Sequence, residues 1–496
     1  MSVADSSLSS ASAATTTLRV RLACRPDFLN KARYVLTTCA AVWGARLEAV
    51  GPDESADLAY GDVSGDGCAS VFHDAGFAAA LAGLRDLADP SVLDGRAELP
   101  RPDPRDPIAT AFFHLARIEE YLVPAVDSWW RFPAEASSQF AERQLLACPV
   151  DDCFDELYRL VSDARAANGE PPLVRSPLFE GRRFAVALTH DVDALRYWFP
   201  AQAAAIPYRL LRELGSRDVS EALREPLATL RLVANRQFGS NDPYWRLGDI
   251  CELERRHDAG STFFFLGEHR YALDGRDGRW YHRHLPEAVA HVQERGAEVG
   301  LHASTPATLS LGALHGQKEY IERVVGGPID GVRFHNLLFN VPDSVEHVHR
   351  AGFGYDATIG YAASEGFRPG TSWPFPLYSL ARDRALDVIE VPLALMDTTF
   401  LSRRYQGLAS EQVFRAITNV LGRVAESSGA VSILWHNSGF DDLLTGGFGT
   451  VYRRLLEWLQ EEGGIGVPAG EIVSVFRGRL EAASPPAAVH TARVSR

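Results

Sequence analysis

The chain has 496 residues, 46% of them hydrophobic and 23% charged, which is ordinary globular composition with length for more than one domain. Its formal net charge of −14 disfavours nucleic acid and anionic membranes as partners, but leaves neutral or amine-bearing sugars open. Six scattered cysteines (Cys24, Cys39, Cys68, Cys148, Cys153 and Cys251) form no C-x-x-C pair, as in a reducing compartment with buried thiols.

Residues 1–17, MSVADSSLSSASAATTT, lack the basic and apolar regions of a secretory signal and have the composition of a disordered segment. No apolar run approaches the ~18 residues that would span a bilayer. A cytoplasmic protein without a transmembrane segment is the expectation. Residues 18–173 are expected to form a smaller accessory α/β domain. Within it Phe28, Ala32, Val35, Leu36, Cys39 and Trp43 recur at helical spacing, as do Leu115, Ile118 and Leu122 in AFFHLARIEEYLV. LPRPDPRDPIA between them reads as loop, and Glu119–Glu120 as a solvated helix face. No nucleophile or metal cluster stands out in this region.

The pattern changes over residues 184–480. FAVALTHDVD, STFFFLG, AEVGLHAS, GVRFHN, VIEVPLAL and VSILWHN read as strands, several apolar on successive residues, as parallel strands covered on both faces are. Amphipathic stretches such as Leu285, Val289 and Val292 alternate with them. This predicts an α/β fold with a parallel sheet, and six or seven such units suit a barrel with its chemistry at the C-terminal strand ends. Residues 484–496 read as a loose tail.

Polar residues gather at the ends of these runs. Alternation puts Ala185, Ala187, Thr189, Asp191 and Asp193 on one face. Two close carboxylates raise one pKa unless a cation lies between them, so a metal ligand plus a general base is the economical reading. His302 ends another strand facing the same way, and imidazole with carboxylate suits zinc and similar divalent metals. Arg333 shares a face with His335 and can hold a carboxylate base through two hydrogen bonds. His436 directly follows an apolar run, where it can donate a proton to a leaving group. Trp435 offers a flat surface to a sugar ring or to the core.

Together these motifs resemble the polysaccharide deacetylases, the NodB-homology enzymes of carbohydrate esterase family 4, over about residues 184–476. THDVD at 189–193 resembles the family's first motif, GLHAS at 300–304 the second, RFH at 333–335 the third, YDATIGY at 355–361 the fourth and ILWHN at 433–437 the fifth. GSTFFFLG resembles its second strand. The resemblance implies a distorted (β/α) barrel, usually seven-stranded, and a divalent metal, most often Zn2+. It implies removal of an N- or O-linked acetyl group from a carbohydrate or glycan precursor. By carry-over Asp191 is the general base, Asp193 and His302 are metal ligands, Arg333 orients the base and His436 is the acid; Trp435 and Tyr361 are set as substrate-binding.

Two departures stand out. Val192 separates carboxylates that are adjacent in the family, so the roles of Asp191 and Asp193 could be exchanged. The family's second motif carries another His four residues after the first, where this chain has Pro306. His190 or His335 could supply the third ligand, and alternation, which turns His190 away from the barrel interior, favours His335; a two-ligand site is the third possibility. A non-sugar amide hydrolase on the same barrel and a non-catalytic glycan-binding protein are the rival functions. In the front region YGD, FFHLARIEEYL, DSWWRF and LLACPVDD are similar to a domain that often precedes deacetylase-like domains of this kind.

Overall fold

Each half of the chain is built on its own largely parallel sheet. The computed structural model describes residues 16–61, 67–84, 101–122, 126–141, 144–198, 231–235, 241–275 and 278–484; all but the innermost residues of the two expected loose ends lie outside these. In the front half, strands β1 (Thr17–Ala23), β2 (Arg46–Ala49), β3 (Leu58–Gly61) and β4 (Ala69–Val71) pair in the order β2-β1-β3-β4, all parallel. The helix Leu29–Trp43 buries the apolar stripe read from its spacing, and Gly44 ends it at φ 74°, the left-handed geometry glycine adopts without a Cβ penalty.

Three front-region expectations change. The proline-rich loop stops at Asp106, whose side chain accepts a hydrogen bond from Ala109 N (2.9 Å) and caps a helix over Pro107–Leu115. The helix expected through residues 111–123 is broken: Arg117 has φ 51°, and a second short helix runs over Ile118–Leu122. Glu119 and Glu120 are not a solvated face. The buried Arg117 guanidinium bonds both, at 2.9 and 2.8 Å, and Arg368 from the second half grips Glu120 at 2.9 and 2.6 Å. A buried cation recruits carboxylates because neither charge is tolerated there alone.

The second half contains β5 (Phe184–Val192), β6 (Thr262–Leu266), β7 (Glu298–Ala303), β8 (Gly331–Phe334), β9 (Tyr355–Asp356), β10 (Phe375–Ser379), β11 (Arg384–Glu390), β12 (Leu393–Met396), β13 (Ala430–Leu434) and β14 (Gly464–Val467). They run in the order β10-β11-β9-β8-β7-β6-β5-β13-β12, with β14 also on β5. The segment VIEVPLAL, read as one strand, divides at Val391–Pro392. Its first part pairs with β9 and its second with β13, so one bent segment joins the two edges and closes a distorted barrel of seven strand positions. Val391 N donates to Asp356 O, and Pro392 O accepts from Ser432 N, at 2.9 and 2.8 Å. Pro392 itself has no N–H to donate, which places the bend there.

Along β5, Phe184, Val186 and Leu188 join the outer core that packs with the helices Ser410–Glu426 and Phe448–Glu461, while Ala185 and Ala187 join the other main core. The helix Gly278–Gln293 buries Leu285, Val289 and Val292 as its spacing predicts. The main core is continuous between the halves. Across their boundary the helix Leu29–Trp43 packs on Ala469–Ala483, Lys31 pairs with Asp383 at 2.6 Å, and Asp151 accepts from Thr371 Oγ1 at 2.6 Å. The six cysteines are free thiols, four of them buried. Among the described residues no helix is long and apolar enough to cross a membrane.

Candidate metal centre

The polar residues converge at the C-terminal ends of β5, β7, β8, β12 and β13. On β5 alternation holds to the strand end. His190 faces outward, its ring nitrogens 2.8 Å from Trp435 O and 2.8 Å from Glu254 Oε1, so it is not available to the centre. Asp191 and Asp193 both reach His302: Asp191 Oδ2 lies 3.4 Å and Asp193 Oδ1 3.2 Å from its Nε2.

Two histidines present Nε2 to this space because their other nitrogens are engaged. His302 Nδ1 donates to Arg333 O at 3.0 Å. His335, one residue past β8, holds Nδ1 3.3 Å from Asp274 Oδ1 and Nε2 3.8 Å from Asp193 Oδ1. Asp274 also accepts from Thr305 N and Oγ1, at 2.9 and 2.8 Å. Fixing one imidazole nitrogen through a carboxylate or carbonyl is how metal-binding histidines are commonly oriented.

Asp193, His302 and His335 each offer a ligand atom, all within 4.8 Å of one another. Asp193 Oδ1 and His302 Nε2 are buried and have no hydrogen-bond partner among the described residues. The two atoms face one another at 3.2 Å, and the donor set suits a divalent cation between them and His335. Burial alone raises the Asp193 pKa, but the imidazoles of His335, His302 and His436 outweigh it and hold the carboxyl well below the usual carboxylate range. Pro306 contributes no ligand atom; it sits buried at the start of the short helix Thr305–Leu309. His335 brings a third ligand-type atom into the cluster.

Arg333 lies beneath the carboxylates, fully buried. Nε donates to Ala357 O at 2.7 Å, and Nη1 bonds Thr189 Oγ1 and Asp191 Oδ1, the latter at 3.2 Å. Its guanidinium stacks 4.8 Å over Phe264. Gly300 leaves room for that ring: a Cβ there would come within 2.6 Å of it. With the guanidinium fixed on three sides, Asp191 is fixed too.

His436 follows β13. Its Nδ1 is 2.6 Å from Asp397 Oδ1, its backbone N donates to Asp397 Oδ2 at 3.0 Å, and its Nε2 lies 3.6 Å from Asp193 Oδ2. Burial opposes its protonation, yet Asp397, with Asp193 and Asp191 behind it, pushes the imidazolium pKa up to about 10. The ion pair with Asp397 favours the protonated imidazole and leaves Nε2 facing the centre.

Sequence reading missed Asp274, Asp397 and the part played by Thr189. Asp397 carried a signal, being the first polar residue after the apolar run LALM; Asp274 ends a single 3-10 turn, Ala272–Asp274, too short to show a periodicity. Two substrate-binding expectations are corrected. Trp435 is fully buried, packed against Phe448 and Tyr452, because alternation after β13 turns it opposite to His436. Tyr361 is 3% exposed and packs against Phe132 and Ala134 of the front region; neither ring can meet a substrate.

A profile described as a family of unknown function (DUF7033) matches residues 95–165. No curated protein matches the chain. Among solved structures, a Mycobacterium smegmatis protein assigned to the polysaccharide deacetylases is 18% identical, with a TM-score of 0.40 over 62% of this chain and 96% of its own. A carbohydrate esterase family 4 pseudoenzyme from Bacillus anthracis is 13% identical, with a TM-score of 0.29 over 60% and 66%. The peptidoglycan deacetylase PdaC from Bacillus subtilis is 16% identical, with a TM-score of 0.25 over 61% and 95%.

Proposed function

We propose that this chain is a metal-dependent hydrolase that removes an acetyl group, as amide or ester, from a carbohydrate or glycan precursor. The observation that carries the reading is the facing pair of buried, unsatisfied ligand atoms, Asp193 Oδ1 and His302 Nε2, 3.2 Å apart, with His335 completing the set. The motif order from THDVD to ILWHN supports the acetyl-sugar substrate class.

Asp193, His302 and His335 would hold the ion, with zinc the best match to the donors. Such an ion supplies Lewis acidity toward an acyl oxygen and a water. Asp191, aimed by Arg333 and beside His302 without being needed as a ligand, takes the proton of the attacking water. The fixed Arg333 keeps that carboxylate from rotating away. His436, protonated and held by Asp397, gives its Nε2 proton to the departing amine or alcohol. Base and acid are both linked to the centre, Asp191 by its 3.4 Å contact with His302 and His436 by its 3.6 Å contact with Asp193.

Acetate release across N- and O-acetylated sugars tests the reading. Wild-type protein should release acetate, lose the activity to a chelator and regain it with zinc. Asp191→Asn should retain metal and lose turnover. Undiminished release by Asp191→Asn, or no release from any acetylated glycan by metal-loaded wild type, would overturn it.

A further inference from the structure

The front region carries a built turn at the barrel mouth. Asp127 organises it, accepting from Trp129 N at 2.7 Å, Arg131 N at 3.1 Å and Arg131 Nε and Nη2 at 2.9 and 2.7 Å. The turn holds Trp130 at φ 59°, a left-handed conformation that is a true outlier for a bulky residue. Trp130 is nevertheless 65% exposed. Such conformations persist where the surroundings over-determine them, and they cluster at ligand clamps.

The turn is fastened to the barrel on both sides of its exposed ring. Arg131, itself buried, donates to Asn336 O at 3.2 Å and to Tyr405 Oη at 3.1 Å. Asn336 directly follows the candidate ligand His335, and Asn336 and Leu337 are also left-handed, at φ 57° and 55°. Phe132 seats against Tyr361. Trp129 is stacked by Arg404, 4.8 Å from its centroid, which leaves Trp130 as the ring turned to solvent.

We infer that the turn Asp127–Arg131 supplies a saccharide subsite of the barrel, with Trp130 as the face on which a sugar ring of the substrate stacks. This rests on the glycan reading above and deepens it. An indole presents a large, rigid apolar face with few rotors to order, which suits the C–H face of a pyranose. The arrangement gives the front region a role in recognition: it extends the site beyond the acetyl group to further rings of the chain.

The test is calorimetric titration of the full-length protein with N-acetylglucosamine oligosaccharides of one to five units, alongside an array of bacterial glycans. Wild type, Trp130→Ala, Trp130→Phe and Val174→Ala (another exposed apolar side chain) are compared. The expected result is tighter binding with length, a loss of roughly tenfold in Trp130→Ala, retention in Trp130→Phe, and no change in Val174→Ala. Equal glycan affinity in Trp130→Ala and wild type would overturn the subsite, as would no measurable glycan binding by wild type. Metal content and wild-type turnover of 4-nitrophenyl acetate are read separately, so failure of the hydrolase reading is distinguishable from failure of the subsite.

Discussion

Asp397 holds His436 twice, through the ring Nδ1 at 2.6 Å and the backbone N at 3.0 Å. One carboxylate therefore sets both the position and the charge of the proposed acid. The protonated form is the active one and Asp397 favours it, so turnover should fall as pH rises through the His436 pKa. Asp397→Asn keeps the hydrogen-bonding shape and removes the charge. The alkaline limb of its kcat profile should move down by at least about one pH unit, while the acid limb stays. A pH–rate series on both proteins checks this; an unmoved alkaline limb would count against His436 as the acid.

Asp274 acts on the centre through His335 Nδ1 and anchors Thr305. Asp274→Asn should weaken metal binding by about 10–100-fold, the usual effect of losing such an orienting group, with the fold retained. Competition against a chromophoric chelator reads the affinity, and circular dichroism reads the fold.

The barrel strands, and the convergence of most residues of the candidate site, were legible in the sequence because alternation is a local rule that survives burial. It placed Asp191 inward and His190 outward correctly, and it chose His335 once Pro306 removed the usual position. It failed where partners come from elsewhere in the chain. Glu119 and Glu120 look like any solvated pair until Arg117 and Arg368 are seen around them. Trp435 was the opposite error: alternation already turned it away from the face of His436, but its chemistry suggested sugar.

Arg368 and Glu120 tie the two halves through buried charges, both side chains under 5% exposed. Arg368→Ala leaves Glu120 with Arg117 alone and should destabilise the protein by about 3 kcal/mol. Urea unfolding of full-length protein measures it. A change below about 0.5 kcal/mol would place the bridge among pairs of negligible net worth.

Trp435 fills core space between Phe448 and Tyr452. Trp435→Ala should cost about 3–5 kcal/mol of stability. Trp435→Phe, which refills most of that volume, should keep glycan KM within about twofold, since a KM change exposes lost binding. A large KM increase in a stably folded Trp435→Phe would restore the substrate-binding reading.

The central claim is a metal ion held by Asp193, His302 and His335. Elemental analysis of wild type, His302→Ala and His335→Ala, purified without chelator or metal-binding tag, tests it most directly. The account predicts close to one equivalent of zinc or another divalent metal in the wild type and its loss in both variants. A wild type that takes up no metal even after reconstitution, or a His335→Ala protein that keeps a full equivalent, would contradict it.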